Sequence, residues 1–297
     1  MARFRKTALP EKQAKSVAKS LQKSGFIKSV RTLSNYEERL VQVAKNMPVY
    51  GLTGEIRDLT SQTAINYLEI RSQEIGQKTL DMERQAIQAM MHQMGTLPEQ
   101  ETLTVIKSEH EQILASRAYT QEQVEMIADS QRDKQSLATE IAYSAGLRAH
   151  ELLTIRTVEE RQADERPCLE TKWQGREGQL YTVHGKGGLV REVLIPYDLA
   201  ERLEQVRLPE PQEIIDRGVK YQALYDLSGG KKWSDSFSKA ANRVLGWSEG
   251  AHGVRHSYAQ ERMHELQTSG LTRELALETV SQEMGHFRPQ ITETYLR

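Results

Sequence analysis

One stretch departs from the pattern of the rest of the chain and limits what it can fold into. In "GQLYTVHGKGGLVREVLIP" (residues 178–196), Tyr181 and Val183, then Val193 and Ile195, alternate with polar residues around Gly185, Gly187 and Gly188. Period-two alternation on both sides of a glycine-rich turn predicts a two-stranded hairpin. Most of the remaining chain repeats its apolar residues at three- and four-residue steps, the helical period. The expected class is mainly α (α+β): a helical N-terminal domain and a mostly helical second domain holding a small β-sheet.

Helical periodicity first runs from about Ser34 to Met94, through "NYEERLVQVAKNM" and "SQTAINYLEIRSQEIGQKTLDMERQAIQAMMHQM", with Gly51 and Gly54 marking a turn. The polar stretch after Pro98 is the candidate linker, ending near Thr120. There "TQEQVEMIADS" opens a new helix with Thr120 as N-cap and Glu122 or Gln123 supporting it. "SLATEIAYSAGLRAHELLTIR" reads as a helix broken at Gly146 and restarted, and "SDSFSKAANRVLGW", "GVRHSYAQERMHELQ" and "TRELALETVSQEMG" read as further helices. The expected boundaries are a basic segment at 1–33, a helical domain at 34–107, a linker at 108–119 and a second domain at 120–297. No internal repeat or low-complexity tract is evident.

At 297 residues the chain is long enough for two domains with their own cores. Charged residues make up 27% and hydrophobic residues 38%, a soluble globular composition with no apolar run of transmembrane length. The single cysteine, Cys168, excludes a disulfide framework within one chain and a thiolate metal cluster, and points to a reducing cytoplasm. The net charge of −1 conceals an asymmetry: residues 1–35 carry nine Lys and Arg against one acid, Glu11. Arg3, Arg5, Lys6, Lys12, Lys15 and Lys19 are the candidate phosphate contacts of a nucleic-acid-binding arm. A solvated tail and an acid-poor, serine-containing targeting peptide are the competing readings.

Several standard sites are absent from the sequence. No G-x-x-x-x-G-K-[ST] loop is present, so ATP is not expected as an energy source. "AHELLT" lacks the second histidine of a zinc helix, that position being Thr154, and no carboxylate cluster resembles a two-metal site. No metal and no cofactor is expected. A set of cations with a tyrosine at its end stands out instead: Arg148, Lys186, His252, Arg255, His286 and Tyr295.

Taken singly, each has an ordinary explanation. Arg148 is three residues from Glu151, the spacing of a surface ion pair, and Lys186 sits at a turn. His252 and Arg255 share a helical face, His286 suits a helix C-terminus, and tyrosines such as Tyr295 commonly pack. Taken together, two arginines, a lysine and two histidines would surround a phosphate with charge-assisted donors. Such donors stabilise charge building on pentacoordinate phosphorus. Tyrosine would be the nucleophile and a hairpin lysine could protonate the leaving oxygen.

"GLRAHELLTIR", "HGKGG" in a hairpin, "HGVRHSYA" and "MGHFRPQITETY" resemble, in order and spacing, the signature boxes of the tyrosine recombinases of the lambda-integrase type. The resemblance covers Thr120 to Arg297, and the helical segment before it looks like the family's core DNA-binding domain. It implies that Tyr295 forms a 3′-phosphotyrosine, that Arg148 and Arg255 grip the non-bridging oxygens, and that Lys186 is the general acid. It further implies that His252 assists proton transfer, His286 hydrogen-bonds the phosphate and Glu151 orients its neighbours. The implied partners are double-stranded DNA with paired half-sites, three further copies of the chain in a homotetramer on a Holliday junction, and an accessory directionality factor. The implied setting is a bacterial cytoplasm at the nucleoid, with no membrane.

Only Leu296 and Arg297 follow the tyrosine, whereas many relatives continue with a segment that docks onto the neighbouring subunit. Either protomers are linked in another way or the tyrosine helix itself is exchanged. The expected function is a site-specific recombinase, the integrase of a mobile element. A relaxing type IB topoisomerase is disfavoured by the helical domain that precedes the catalytic one. A chromosome-dimer-resolving recombinase is disfavoured by the basic extension. A catalytically inactive architectural DNA-binding protein is disfavoured because every reactive position is filled.

Overall fold

The computed structural model describes residues 8–110 and 115–297. The chain divides into two compact units, Met1–Ile113 and Leu114–Arg297. No described helix is long and apolar enough to cross a membrane.

The first unit contains helices α1 (Pro10–Lys23), α2 (Val30–Asn46), α3 (Ser61–Arg71) and α4 (Gln77–Met94). Side chains cap two of them: Ser29 accepts from Thr32 N at the start of α2, and Thr60 with Thr63 forms a reciprocal capping box on α3. Gly95 ends α4 in the left-handed conformation. The core gathers Val17, Leu21, Leu40, Val43, Ile56, Tyr67, Leu68, Leu80, Ile87, Met90 and Met91.

Helix α1 corrects the reading of residues 1–33 as an arm. Ala14, Val17, Ala18 and Leu21 lie on one face at helical spacing and are buried, while Lys12, Lys15 and Lys19 are exposed on the other. Val17 and Leu21, with no solvent exposure, each stabilise the unit by roughly 1.5–3 kcal/mol. Gln13 Oε1 also accepts from Ile56 N at 3.0 Å, so a polar residue joins the buried face. From Pro10 onward the basic segment is therefore the outside of a core helix. Arg3, Arg5 and Lys6 lie outside the described residues.

The expected linker at 108–119 is anchored at both ends. Ser108 donates from N to Gln77 Oε1 at 2.8 Å and from Oγ to Ile75 O at 2.7 Å in the first unit. In the second unit, Tyr119 N donates to Ser257 Oγ at 2.8 Å and its ring stacks on Trp247.

The second unit begins with α5 (Gln121–Asp129), opened by the expected capping box of Thr120 and Gln123, and α6 (Asp133–Ser144). After Gly146 the chain makes only a 3₁₀ turn, Glu151–Leu153, and not the restarted helix expected there. The expected hairpin is present, and it belongs to a three-stranded antiparallel sheet ordered β1 (Arg156–Thr157), β2 (Gln179–His184), β3 (Val190–Ile195). Its register pairs Tyr181 with Val193 and Val183 with Arg191, so these four buried residues share one face, while Thr182 and Leu194 are buried on the other.

Helix α7 (Tyr197–Gln205) leads to a second hairpin, β4 (Arg207–Asp216) and β5 (Val219–Tyr225), which the periodicity reading did not identify. Four helices complete the unit: α8 (Gly230–Leu245), α9 (Gly253–Thr268), α10 (Arg273–Glu283) and α11 (Pro289–Glu293). Helix α9 runs through the interior and buries two arginines, Arg255 and Arg262, beside Val254, Tyr258 and Leu266.

Candidate active site

Three helix ends supply the site. Two of them close with the same glycine device. At the end of α6, Gly146 takes φ 59° and Leu147 N donates back to Ala142 O at 2.9 Å. At the end of α10, Gly285 takes φ 68°, its N–H donates to Gln282 O at 3.0 Å, and His286 N donates to Ser281 O at 2.9 Å. These are Schellman closures, which turn the chain sharply away from the helix axis. The first turn projects Arg148 and the second projects His286.

Neither glycine tolerates a side chain on spatial grounds either. A Cβ on Gly146 would stand 2.7 Å from the Tyr258 ring, and one on Gly285 would stand 2.4 Å from Arg191 Cδ. The third end is the start of α9, where His252 is the N-cap residue and Arg255 lies in the first turn.

Arg255 joins all three. It has no solvent exposure. Its Nη1 donates to Gly146 O, and its Nη2 donates to Met284 O at 2.6 Å, so one guanidinium satisfies the carbonyls of two helix C-termini. The same Nη2 lies 3.0 Å from His286 Nε2. With Arg255 as donor, Nε2 is the acceptor, and the other ring nitrogen carries the proton toward Thr292 Oγ1 at 2.9 Å. Burial, Arg255 and Arg148 all push the His286 pKa strongly down, which agrees with this neutral ring.

Arg148 is held by Glu151. The carboxylate accepts from Arg148 N at 2.8 Å and from its Nη1 at 2.7 Å. Glu151 is fully buried, which by itself would raise its pKa, but Arg191, Arg255 and Arg148 outweigh burial and hold it well below the usual carboxylate range. The Arg148 side chain keeps 18% exposure, so its remaining donors can reach a ligand.

Tyr295 follows α11 and is 9% exposed. Its ring centroid lies 5.5 Å from that of His252, 4.7 Å from His256 and 5.0 Å from His286. The Arg255 guanidinium lies over the ring, 5.6 Å from its centroid. Besides the bond between Thr292 and His286, three contacts hold the segment to its own chain. Gln260 Nε2 donates to Tyr295 O at 3.1 Å and to Arg297 O at 2.9 Å, while Arg273 makes a two-pronged ion pair with Glu293 at 2.8 and 2.9 Å. Among the described residues, the Tyr295 hydroxyl has no hydrogen-bond partner.

His252 stays partly open to solvent. Local burial, then Arg255, His256 and Arg117, push its pKa down to about 3, and solvent at the open edge screens part of that effect. His256, 7% exposed, is pushed down to about 4, chiefly by burial and then by Arg117.

The structure thus gathers Arg148, Glu151, His252, Arg255, His286 and Tyr295 in one place. Lys186 opens the turn between β2 and β3, and its side chain lies outside the described part of the structure. Three participants were not singled out from sequence: Arg191, His256 and Thr292. Arg191 carried a legible signal, being in phase with the inward Val193 and Ile195 on β3, where a charge is out of place. His256 closes the quoted "HGVRH" run. Thr292 carried no signal. Among the described residues, no group of three or more His, Cys, Asp or Glu could hold a metal ion.

No family model and no curated protein matches the sequence. Solved structures do match the fold, over nearly the whole chain. The chain superposes on the Tn1549 transposon integrase in complex with a circular intermediate DNA at a TM-score of 0.55 and 17% identity, over 96% of this chain and 95% of that one. The XerH site-specific recombinase bound to a palindromic difH substrate matches at 0.58 and 15%, over 98% and 82%. A lambda integrase from a tetramer bound to a Holliday junction matches at 0.58 and 15%, over 97% and 77%. The chain therefore has the two-part fold of the tyrosine recombinases and integrases.

Proposed function

We propose that this protein is a site-specific DNA recombinase, the integrase of a mobile element, with Tyr295 as its nucleophile. The observation that carries the reading is the seating of Tyr295 among Arg255, His252 and His286 of its own chain. A packing tyrosine has no need of three such neighbours, whereas a phosphoryl-transfer nucleophile does.

In this mechanism Tyr295 Oη attacks the scissile phosphorus and the bond from phosphorus to O5′ breaks, leaving a 3′-phosphotyrosine and a 5′-hydroxyl. His252 is neutral before DNA arrives and takes the tyrosine proton, its basicity raised by the incoming phosphate charge. Lys186 gives a proton to O5′, so the proton count closes. Arg148 and Arg255 hold the non-bridging oxygens. Arg255 lies beneath the Tyr295 ring, so phosphate reaches it as the ring moves off and the contact to His286 is exchanged for a phosphate oxygen. His286 adds a further hydrogen bond, and Glu151 orients Arg148. Attack by the 5′-hydroxyl of a second strand reverses the step, and the phosphotyrosine conserves the bond energy, so no nucleotide is consumed.

The substrate is double-stranded DNA with paired half-sites. Four copies of the chain act together on a Holliday junction, as the matched lambda integrase tetramer does, with an accessory directionality factor. The second unit is the catalytic domain. The first is the core DNA-binding half, with Lys12, Lys15 and Lys19 of α1, and Arg3, Arg5 and Lys6 before it, contacting phosphates.

The test is a denaturing gel of the protein with labelled DNA from beside its own gene, wild type next to Tyr295→Phe. A detergent-resistant, protease-sensitive adduct in the wild type alone is the expected result. Tight binding without an adduct on any fragment would overturn it in favour of an architectural DNA-binding protein.

A further inference from the structure

We propose that Arg191 is the positioning residue of this site: one buried guanidinium that sets the phosphate-binding geometry of both Arg148 and His286. The inference rests on the recombinase reading and adds a residue to it.

Arg191 is 3% exposed and lies on β3, five residues after Lys186. Both terminal nitrogens of its guanidinium donate to protein acceptors. Nη2 donates to Glu151 Oε2 at 2.7 Å, with Gly146 O at 3.5 Å, and Nη1 donates to Glu283 O at 2.7 Å. Nε has no partner and is buried. Buried to this degree, Arg191 presents no open face to a ligand, so its action passes through the groups it holds.

Those groups are the ones that aim the site. Glu151 receives both the backbone N–H and the guanidinium of Arg148, so an arm of the same carboxylate links Arg191 to the angle at which Arg148 presents itself. Glu283 is the last residue of α10, two positions before Gly285, and its carbonyl fixes where the closing turn begins and where His286 leaves it. Gly285 has no side chain at the point where a Cβ would stand 2.4 Å from Arg191 Cδ, so the turn and the arginine are fitted to each other.

Arginine alone suits the position. Its planar fork addresses two acceptors on different elements at once, and a lysine of similar reach is a single point charge. Burial of a third cation beside Arg148 and Arg255 is offset by the charge of Glu151 and is costly without it. A core residue chosen for packing would not carry that charge, and a DNA contact would not be sealed from solvent.

The test compares Arg191→Lys and Arg191→Met with wild type and Arg148→Ala in single-turnover adduct formation, on phosphodiester DNA and on DNA with a neutral methylphosphonate at the scissile position. Removing the phosphate charge removes the need for well-placed arginines, so a positioning defect shrinks on the second substrate. A misplacement near 1 Å costs on the order of 10²-fold in rate. Arg191→Lys, which keeps the charge, is expected to stay folded with near-wild-type DNA affinity. It should lose about that factor on phosphodiester DNA and recover most of it on methylphosphonate, the pattern also expected of Arg148→Ala.

Wild-type rates in both Arg191 variants on phosphodiester DNA would overturn the proposal. Equal losses on both substrates, in step with lowered melting temperature, would also overturn it and make Arg191 a core residue only. If Arg191→Met does not fold, Arg191→Lys decides the matter. A wild-type protein that forms no adduct overturns the recombinase reading itself, and this inference with it.

Discussion

Arg255 Nη2 stands 3.0 Å from His286 Nε2, so the candidate phosphate-binding arginine and histidine meet each other before either meets a phosphate. Arg255 is always charged and can only donate, which fixes His286 as the acceptor with its proton on the nitrogen facing Thr292. A ring in that state donates to a phosphate oxygen only after its tautomer changes. Replacing Thr292 with Val removes the acceptor of the Nδ1 proton but leaves Arg255 in place. We expect Thr292→Val to keep the resting tautomer of the His286 ring in nitrogen-detected NMR, with a stability loss of about 1–3 kcal/mol from the hydroxyl partner removed. A shift to the other tautomer would mean that Thr292, and not Arg255, sets it.

The buried histidines give stability a pH dependence of definite sign. His256 is pushed down to about 4 and His286 is lowered as well, whereas in the unfolded chain both titrate near the ordinary value of about 6.5. Between those limits the unfolded chain binds more protons than the folded one. Stability is therefore complete above about pH 6.5 and falls as pH drops toward 4. Melting temperature should decline across that window, and His256→Gln should flatten the decline. One such group contributes at most about 1.4 kcal/mol per pH unit. A melting curve independent of pH between 7 and 4.5 would show that both rings take up protons as readily in the folded state as in the unfolded one.

Much of this site was legible in the sequence, and the omissions have physical causes. Arg148, Glu151, His252, Arg255, His286 and Tyr295 are brought together because glycines mark two of the three helix ends that carry them, and glycines are visible in a sequence. Arg191 was passed over because a strand was read from its apolar members alone, although the phase that buries Val193 and Ile195 also buries the arginine between the turn and them. Helix α1 was missed for the opposite reason: two of its five buried residues are Ala14 and Ala18, too small to register as apolar periodicity, a third is Gln13, and its lysines dominate the composition. The β4–β5 hairpin escaped because β4 is exposed along most of its length, leaving no alternation to read. The stretch after Gly146 looked helical from its leucines, but the carboxylate of Glu151 turns back to the Arg148 N–H and closes a turn there instead.

Gly146→Ala should damage both stability and activity. The residue has φ 59°, where an L side chain costs roughly 1–2 kcal/mol, and the new methyl would press on the Tyr258 ring at 2.7 Å. Overpacking of this kind adds typically 1–3 kcal/mol. Any shift of the turn also moves the carbonyl that Arg255 Nη1 binds. Chemical denaturation should therefore report a loss of about 2–5 kcal/mol by these two terms together. Adduct formation should fall further than the folded fraction does. A fully folded Gly146→Ala with wild-type cleavage would show that the turn does not govern Arg255.

Glu283 makes a separate stability prediction. Its carboxylate is wholly buried and accepts from Tyr258 Oη at 2.8 Å, from Arg262 Nε and Nη2 at 2.9 and 2.8 Å, and from Trp173 N at 3.1 Å. Breaking a buried pair costs about 3–5 kcal/mol when the remaining charge is uncompensated, and because Arg262 keeps the half-exposed carboxylate of Glu265 the loss should fall at the lower end of that range. Glu283→Ala should show that loss in urea denaturation. Glu283→Gln, which keeps acceptor and shape but not charge, should lose less. Equal stability of Glu283→Ala and wild type would mean that solvent reaches Arg262.

The basic segment calls for substitution and not deletion. Removing residues 1–35 would also remove Val17 and Leu21 from the core of the first unit, so lost binding could be lost folding. Lys12, Lys15 and Lys19 lie on the exposed face of α1, and changing them to Gln leaves the buried face intact. Each lysine that neutralises a phosphate contributes about 0.9 to the slope of log affinity against log salt. The triple variant should therefore flatten that slope by up to about 2.7 with little change in melting temperature. The loss should also be uniform across DNA sequences, because phosphate contacts carry no base information. An unchanged slope in a folded triple variant would assign this face of α1 to solvent. A steepening of sequence preference without a change in slope would place the lysines against base edges.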